Sequence, residues 1–170
     1  DKGETNTMNH VLLQGVKIVS LATTLAGSTF QISTATDGDF VQSDAVNMQG
    51  YEAVLFGYKI GAGTAAAVVA TKLQDSTAAA GTYADIAGSL QTVTDVGGNK
   101  LNRWIFTHVV RPRKQFISLL YKRTVQNSAL DTILAIQYRT TPQLPPTQAT
   151  ALGGQAATFV VLTGPADGTA

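Results

Sequence analysis

Two histidines, a few scattered carboxylates and one knot of basic residues are the side chains of this 170-residue chain that could do chemistry. His10 and His108 are far apart, and neither sits in an HxxxH or HExxH context. A zinc centre needs further ligands, and a catalytic histidine needs a paired nucleophile. His108 lies in an apolar run and reads as a core or interface residue. Asp37 and Asp39 flank Gly38, with Asp44 nearby. A calcium loop wants more oxygens at regular spacing and a late bidentate glutamate, so Asp-Gly-Asp reads as a turn. The glutamates are Glu4 and Glu52 alone, so a glycosidase pair would have to be built on distant aspartates. Nucleophile-elbow, Walker and dinucleotide motifs are absent from the sequence. Gly57 to Gly63 is glycine-rich but lacks the lysine and helix that bind phosphate. With no cysteine, disulfides, thiolate metal sites and a cysteine nucleophile are excluded. The expectation is a non-enzyme with no catalytic residue, no metal site and no cofactor.

The basic knot is Arg111-Pro112-Arg113-Lys114, followed by Lys122-Arg123. Trp104, Phe116 and Tyr121 are close in sequence, a mix that single-stranded nucleic acid could use. The net charge is only +1, which supplies no bulk attraction to DNA or an anionic membrane. A solvated turn, or a rim that pairs with an acidic protein partner, is the preferred reading. Arg111, Arg113 and Lys114, together with Phe159, Val160, Val161 and Leu162, are the candidate interface residues. No nucleic acid, membrane or small-molecule partner is expected.

The elements that must position these residues read as strands. Period-2 alternation recurs between turn signals, and the expected strands are 10–20, 27–35, 40–47, 51–60, 66–74, 82–86, 89–95, 102–111, 114–125 and 129–140. In 51–60, Val54, Phe56, Tyr58 and Ile60 share one face, while Tyr51, Leu55 and Lys59 share the other, as in a central strand covered on two sides. In 103–110, Trp104, Phe106 and Val110 align against Arg103 and Thr107. In 115–123, Ile117, Leu119 and Tyr121 align against Ser118 and Lys122. In 130–138, Leu130, Thr132, Leu134, Ile136 and Tyr138 align against Asp131 and Gln137. Phe30 and Ile32 repeat the pattern weakly. Thr64 to Ala70 is alanine-rich, but flanking glycines and threonines and its β-branched end favour strand over helix.

Charged residues are 14% of the chain, below the roughly 25% of a typical soluble domain, while hydrophobic residues are 44%. That balance suits a surface covered by partners, and also many secreted β-domains. No apolar run approaches the ~20 residues of a membrane helix, and the polar Asp1 to Thr7 gives no expectation of a signal peptide. The organisation expected is an N-terminal arm at 1–9, a β-sandwich body at 10–141 and a C-terminal arm at 142–170. Pro142, Pro145 and Pro146 open that arm, and Thr158 to Thr163 forms a strand within it. Such a strand can add to a sheet edge of its own body or of a neighbour. Deleting 142–170 is expected to leave the body folded and to weaken assembly or binding to a larger partner.

Four segments carry a resemblance. They are Gly50-Tyr51-Glu52-Ala53-Val54-Leu55-Phe56, Thr71-Lys72-Leu73-Gln74-Asp75-Ser76, Gly81-Thr82-Tyr83-Ala84-Asp85-Ile86 and Gly97-Gly98-Asn99-Lys100. Their succession is similar to a family of small virion proteins of tailed bacteriophages that coat or stitch the capsid. Asn99 to Phe106 resembles the family's closing run, with Leu101-Asn102 inserted before Arg103. The turn Ser76 to Gly81 is longer than usual there and lacks the Asp-Gly common in that hairpin. The resemblance implies a jelly-roll-like antiparallel β-sandwich with extended arms. It implies a cement protein on the outer capsid surface, bound to the major capsid protein and to itself as a homotrimer. A tail, neck or head-fibre component is the alternative within the virion. A carbohydrate-binding or adhesin sandwich is the alternative outside it, with Trp104, Tyr51, Tyr58 or Tyr83 supplying the aromatic platform.

Overall fold

The computed structural model describes residues 15–21, 40–63, 65–94, 103–124, 128–139, 151–152, 155–156 and 158–170. Among these there are strands and turns and no helix. The strands are β1 (Val16–Ser20), β2 (Val41–Gln42), β3 (Val46–Asn47), β4 (Ala53–Gly63), β5 (Val68–Ser76), β6 (Ala84–Asp85), β7 (Gln91–Thr94), β8 (Arg103–Val110), β9 (Phe116–Thr124), β10 (Ser128–Tyr138), β11 (Ala151–Leu152), β12 (Gln155–Ala156) and β13 (Thr158–Thr163). Nine of the ten expected strands fall on these. The tenth, 27–35, lies outside the described residues, as do His10, Asp37, Asp39 and Glu4. Residues 40–47 split into β2 and β3, which follow one another along β9. The alanine-rich segment is a turn at Ala65 and Ala66 leading into β5.

Two sheets pack face to face as the expected β-sandwich. The first has the order β1-β10-β4-β8-β13. The second is built on the β9–β5 pair, with β2 and β3 on one side and β6 and β7 on the other. A separate pair joins β11 to β12. The core forms where the two inner faces meet. Val54, Phe56, Tyr58 and Ile60 of β4 are fully buried there, opposite Val69 and Leu73 of β5 and Ile117, Leu119 and Tyr121 of β9. Alternation puts successive side chains on opposite faces, so these rows follow directly from the period-2 pattern. The Tyr58 hydroxyl lies 2.5 Å from Thr71 Oγ1, and Gln91 Nε2 donates to Thr107 Oγ1 at 2.5 Å. Both contacts join one sheet to the other.

Two strands turn the opposite face inward from the one the sequence pattern favours. On β8, Ile105, Thr107 and Val109 point into the core, while Trp104 and Phe106 stand half-buried on the outside. On β10, Leu130 faces the core, but from there on Ile133, Ala135 and Gln137 do, and Leu134, Ile136 and Tyr138 face out. A β-bulge is the reason. Leu130 pairs with Ile60 and Thr132 with the next β4 residue, Lys59, so Asp131 is an extra residue that flips the phase of the strand. Its carboxylate salt-bridges Lys59 at 3.1 Å. It also lies over Gly61, where a Cβ would come within 2.4 Å of Asp131 Oδ1.

This inversion sets an order of stabilities. Ile133→Ala is expected to destabilise the fold by about 2–5 kcal/mol through a core cavity. Ile136→Ala, on the half-buried outer face, is expected to cost less than half as much. Urea midpoints of the two variants check this, and a larger loss at Ile136 would mean the strand is not inverted.

Candidate interaction surface

The register of the five-stranded sheet builds its outer face row by row, because residues directly opposite across a strand pair share a face. One row runs across the whole sheet as Ile18, Ile136, Leu55, His108 and Val161. The next contains Ser20, Leu134, Gly57 and Phe106, and the next Thr132, Lys59 and Trp104. Ile18 is 66% exposed and Val161 43% exposed. Leu55, Leu134, Ile136, Trp104 and Phe106 are half-buried. Trp104 and Phe106 stack with ring centroids 5.9 Å apart and planes 12° apart. Gly57 gives the Phe106 ring its place, since a Cβ there would sit 3.0 Å from its Cε1.

His108 is the polar member of the long row, yet it adds no charge to it at neutral pH. Its ring stacks on Tyr138, with centroids 5.7 Å apart, and hydrogen-bonds the Tyr138 hydroxyl through Nε2. Burial pushes its pKa below the ordinary histidine value, so the neutral imidazole is favoured. The outer face of the other sheet has a different character. Lys72 Nζ donates to Asp85 at 2.7 Å, Gln74 Nε2 donates to the same carboxylate at 2.7 Å, and Gln42 donates to Ser118. Lys72 and Lys122 lie 4.6 and 5.5 Å from the centroid of the Phe40 ring. Burial raises the Asp85 pKa, but the Lys72 and Gln74 hydrogen bonds outweigh it and hold the carboxyl below its usual range. One outer face therefore carries an apolar row beside the Lys59–Asp131 pair, while the other is polar.

The basic knot does not form one patch. Arg111 and Arg113 are exposed on the turn between β8 and β9, beside an open cleft of about 310 Å³ lined by Met48, Gln49, Tyr51 and Pro112 among others. Arg111 takes a left-handed backbone conformation, φ 54°, with its N–H on the Glu52 carbonyl. Lys122 and Arg123 sit near the far end of β9, roughly 25 Å along the strand, and Arg123 is buried. Lys114, beside Arg113 on the same cleft, is paired within its own chain. Its ammonium is held by Asp75 at 2.9 Å and Asp167 at 2.7 Å of the same chain. Asp75 has only 1% of its side chain exposed, and burial pushes its pKa up although Lys114 pulls it back. Lys114 also holds the exposed Asp167 carboxyl below its usual value. A buried carboxylate needs a fixed cation, so this lysine has a partner within the fold.

Of the apolar quartet, Val161 belongs to the outer row, while Leu162 packs against the core and Val160 shares its row with the core-facing Thr107. Phe159 pairs with Phe106 in register, and its side chain lies outside the described residues. The four aromatics considered for a glycan platform are not gathered. Tyr58 is in the core, Tyr51 packs against it, Tyr83 donates to the Ala79 carbonyl, and Trp104 stands alone of the four on the outer sheet face. Asp44 is exposed. Among the described residues no three His, Cys, Asp or Glu side chains could hold a metal ion, and no helix is long and apolar enough to cross a membrane. Sequence reading missed the apolar row because Leu134 and Ile136 sat on the face taken for core.

Lys114→Met tests the buried pair. It is expected to cost about 3 kcal/mol at pH 7 by leaving Asp75 ionised without its cation. The folded-state pKa of Asp75 then lies further above its unfolded value, so protonation relieves the penalty and the loss shrinks as pH falls toward 5. Denaturant titrations at both pH values check this, and a loss that does not change with pH would rule it out.

Compared with known proteins, the chain matches no family model and no curated protein.

Proposed function

We propose that this chain is a structural virion protein of a tailed bacteriophage, which binds the outside of the capsid and joins neighbouring capsomers as a homotrimer. The partners are the major capsid protein and further copies of the chain, and no reaction is catalysed. The jelly-roll comparison belongs to the same proposal. The observation that carries the reading is the apolar row Ile18, Ile136, Leu55, His108 and Val161, set on one outer face while the opposite face is polar. A contiguous apolar face on a soluble protein marks a surface that a partner covers. The low charge content points the same way. The four sequence segments that resemble capsid-coating proteins name the kind of partner. A protein that binds assembled capsomers across their boundaries stabilises the shell by mass action, and multivalent attachment strengthens weak individual contacts.

The test is the double variant Ile18→Asp with Val161→Asp. Both side chains are exposed, so the body is expected to keep its strand content and unfold within a few degrees of the parent. Capsid occupancy is expected to fall at least tenfold, because two carboxylates would be buried without partners. Unchanged occupancy with a folded body would overturn the reading.

A further inference from the structure

Within the last described stretch, 158–170, residues 158–168 hold the two sheets together from the side. β13 runs parallel to β8, from Thr158 opposite Ile105 to Thr163 opposite Val110, and it is the one parallel pairing among the described strands. Gly164 then turns with φ 54° while its N–H donates to the Val110 carbonyl at 2.8 Å. Pro165 is buried, and the Ala166 carbonyl accepts from the Ala87 N–H at 2.9 Å. Asp167 bridges Ile86, the Gly168 N–H reaches the Asp85 carbonyl at 3.1 Å, and Lys114 latches the Asp167 carboxylate at 2.7 Å. The stretch therefore closes the edge of the first sheet and then crosses to β6 of the second. Its partners are β8, residues 85–87 and Lys114.

We propose that residues 158–168 are an exchangeable strap, which in the assembled protein seats on the β8 edge and Lys114 latch of a second copy of this chain. Three physical points support exchange. Without the strap, β8 would present an eight-residue edge of unpaired N–H and C=O groups, so the seat has to be filled by some strand. The parallel pairing means that the link from Arg139 must return the length of the sheet before β13 can begin. That link is about 18 residues, of which 151–156 are folded into the β11–β12 hairpin, and the remaining dozen can reach roughly 40 Å, still more than the roughly 30 Å that crossing β4 and β8 within one copy demands. Since the hydrogen bonds and ion pair of the strap described above are all to other segments, a neighbour's strap can remake them. Exchange gives up a seat that the tether supplies at an effective concentration on the order of millimolar, so it is favoured where copies are crowded together in an assembly. Head-to-tail exchange among copies satisfies every seat when it closes into a ring. The proposal rests on the self-association part of the reading above and not on capsid binding.

The chain has no cysteine, so introduced thiols report the exchange without background. One sample carries Val110→Cys and a differently tagged one carries Thr163→Cys, two positions paired in register. The two are unfolded, mixed, refolded at high concentration and oxidised. Exchange predicts a heterodimer of both tags at twice the chain mass on a non-reducing gel. It also predicts ring-sized covalent species when both cysteines are on one chain. Monomeric singles, together with a double variant that closes only within its own chain, would overturn the strap exchange. The pair Ala87→Cys with Ala166→Cys repeats the reading at the other end of the strap should the first pair disturb folding. Capsid occupancy plays no part in this readout, so loss of the cement reading and loss of the exchange are separate results.

Discussion

A hydroxyl buried between two sheets needs a partner, and Tyr58 finds it in Thr71 across the core. Burial pushes the Tyr58 pKa up to about 12, and hydrogen bonds with Thr71 and Thr107 offset only part of that. Thr107 is in turn bonded by Gln91, so the chain Thr71, Tyr58, Thr107 and Gln91 draws two residues from each sheet. An apolar core tolerates small slips of one sheet over the other, because dispersion contacts are not directional. A buried polar chain does not, because each unmade hydrogen bond would leave a desolvated group at a cost of about 1–3 kcal/mol. The rows of the outer face follow from this registry. Once Tyr58 is fixed inward, Leu55, Gly57 and Lys59 must face outward beside their partners on β8 and β10.

The two sheets spend their outer faces differently. On the sheet built around β5 and β9, lysines 72 and 122, Gln74 and Asp85 satisfy one another and the Phe40 ring, which makes a face complete in water. On the sheet built around β4, the central strand offers glycine at 57, which lets the Phe106 ring lie over the backbone. Its long row is apolar apart from a histidine whose polarity is taken up by Tyr138. That face gains from being covered. The strap at 158–168 adds Val161 to the same row and Leu162 to the core, so whichever copy supplies the strap helps to build the apolar face as well as the edge of the sheet.

Strands and turns were legible along most of the described chain, because both are written in neighbouring residues. Alternation marks a strand, and glycine, proline or asparagine clusters mark its ends. The β4 and β9 core rows were legible too, since on each the apolar face is the more continuous one. The candidate surface was read less well. Lys114 looked like a free cation beside Arg111 and Arg113, but its partners Asp75 and Asp167 are 39 and 53 residues away in sequence. Nothing in a basic turn announces a buried carboxylate on another strand. Tyr51, Tyr58, Tyr83 and Trp104 looked interchangeable as candidate platform residues until burial separated them.

What the sequence by itself determined is the all-β class, the places where the chain turns, and the absence of cysteine chemistry. These are set by local sterics and composition. What only the tertiary structure decided is phase and partnership. β8 and β10 carry apolar residues on both faces, so their patterns fit either face inward, and the choice is made by the bulge at Asp131 and by which neighbours already fill the core. The pairing of β13 with β8 was equally open, because a strand carries the same hydrogen-bonding groups toward any edge. Its seat is defined by contacts from β8, from β6 and the residues just after it, and from the turn before β9, which meet only when both sheets are assembled.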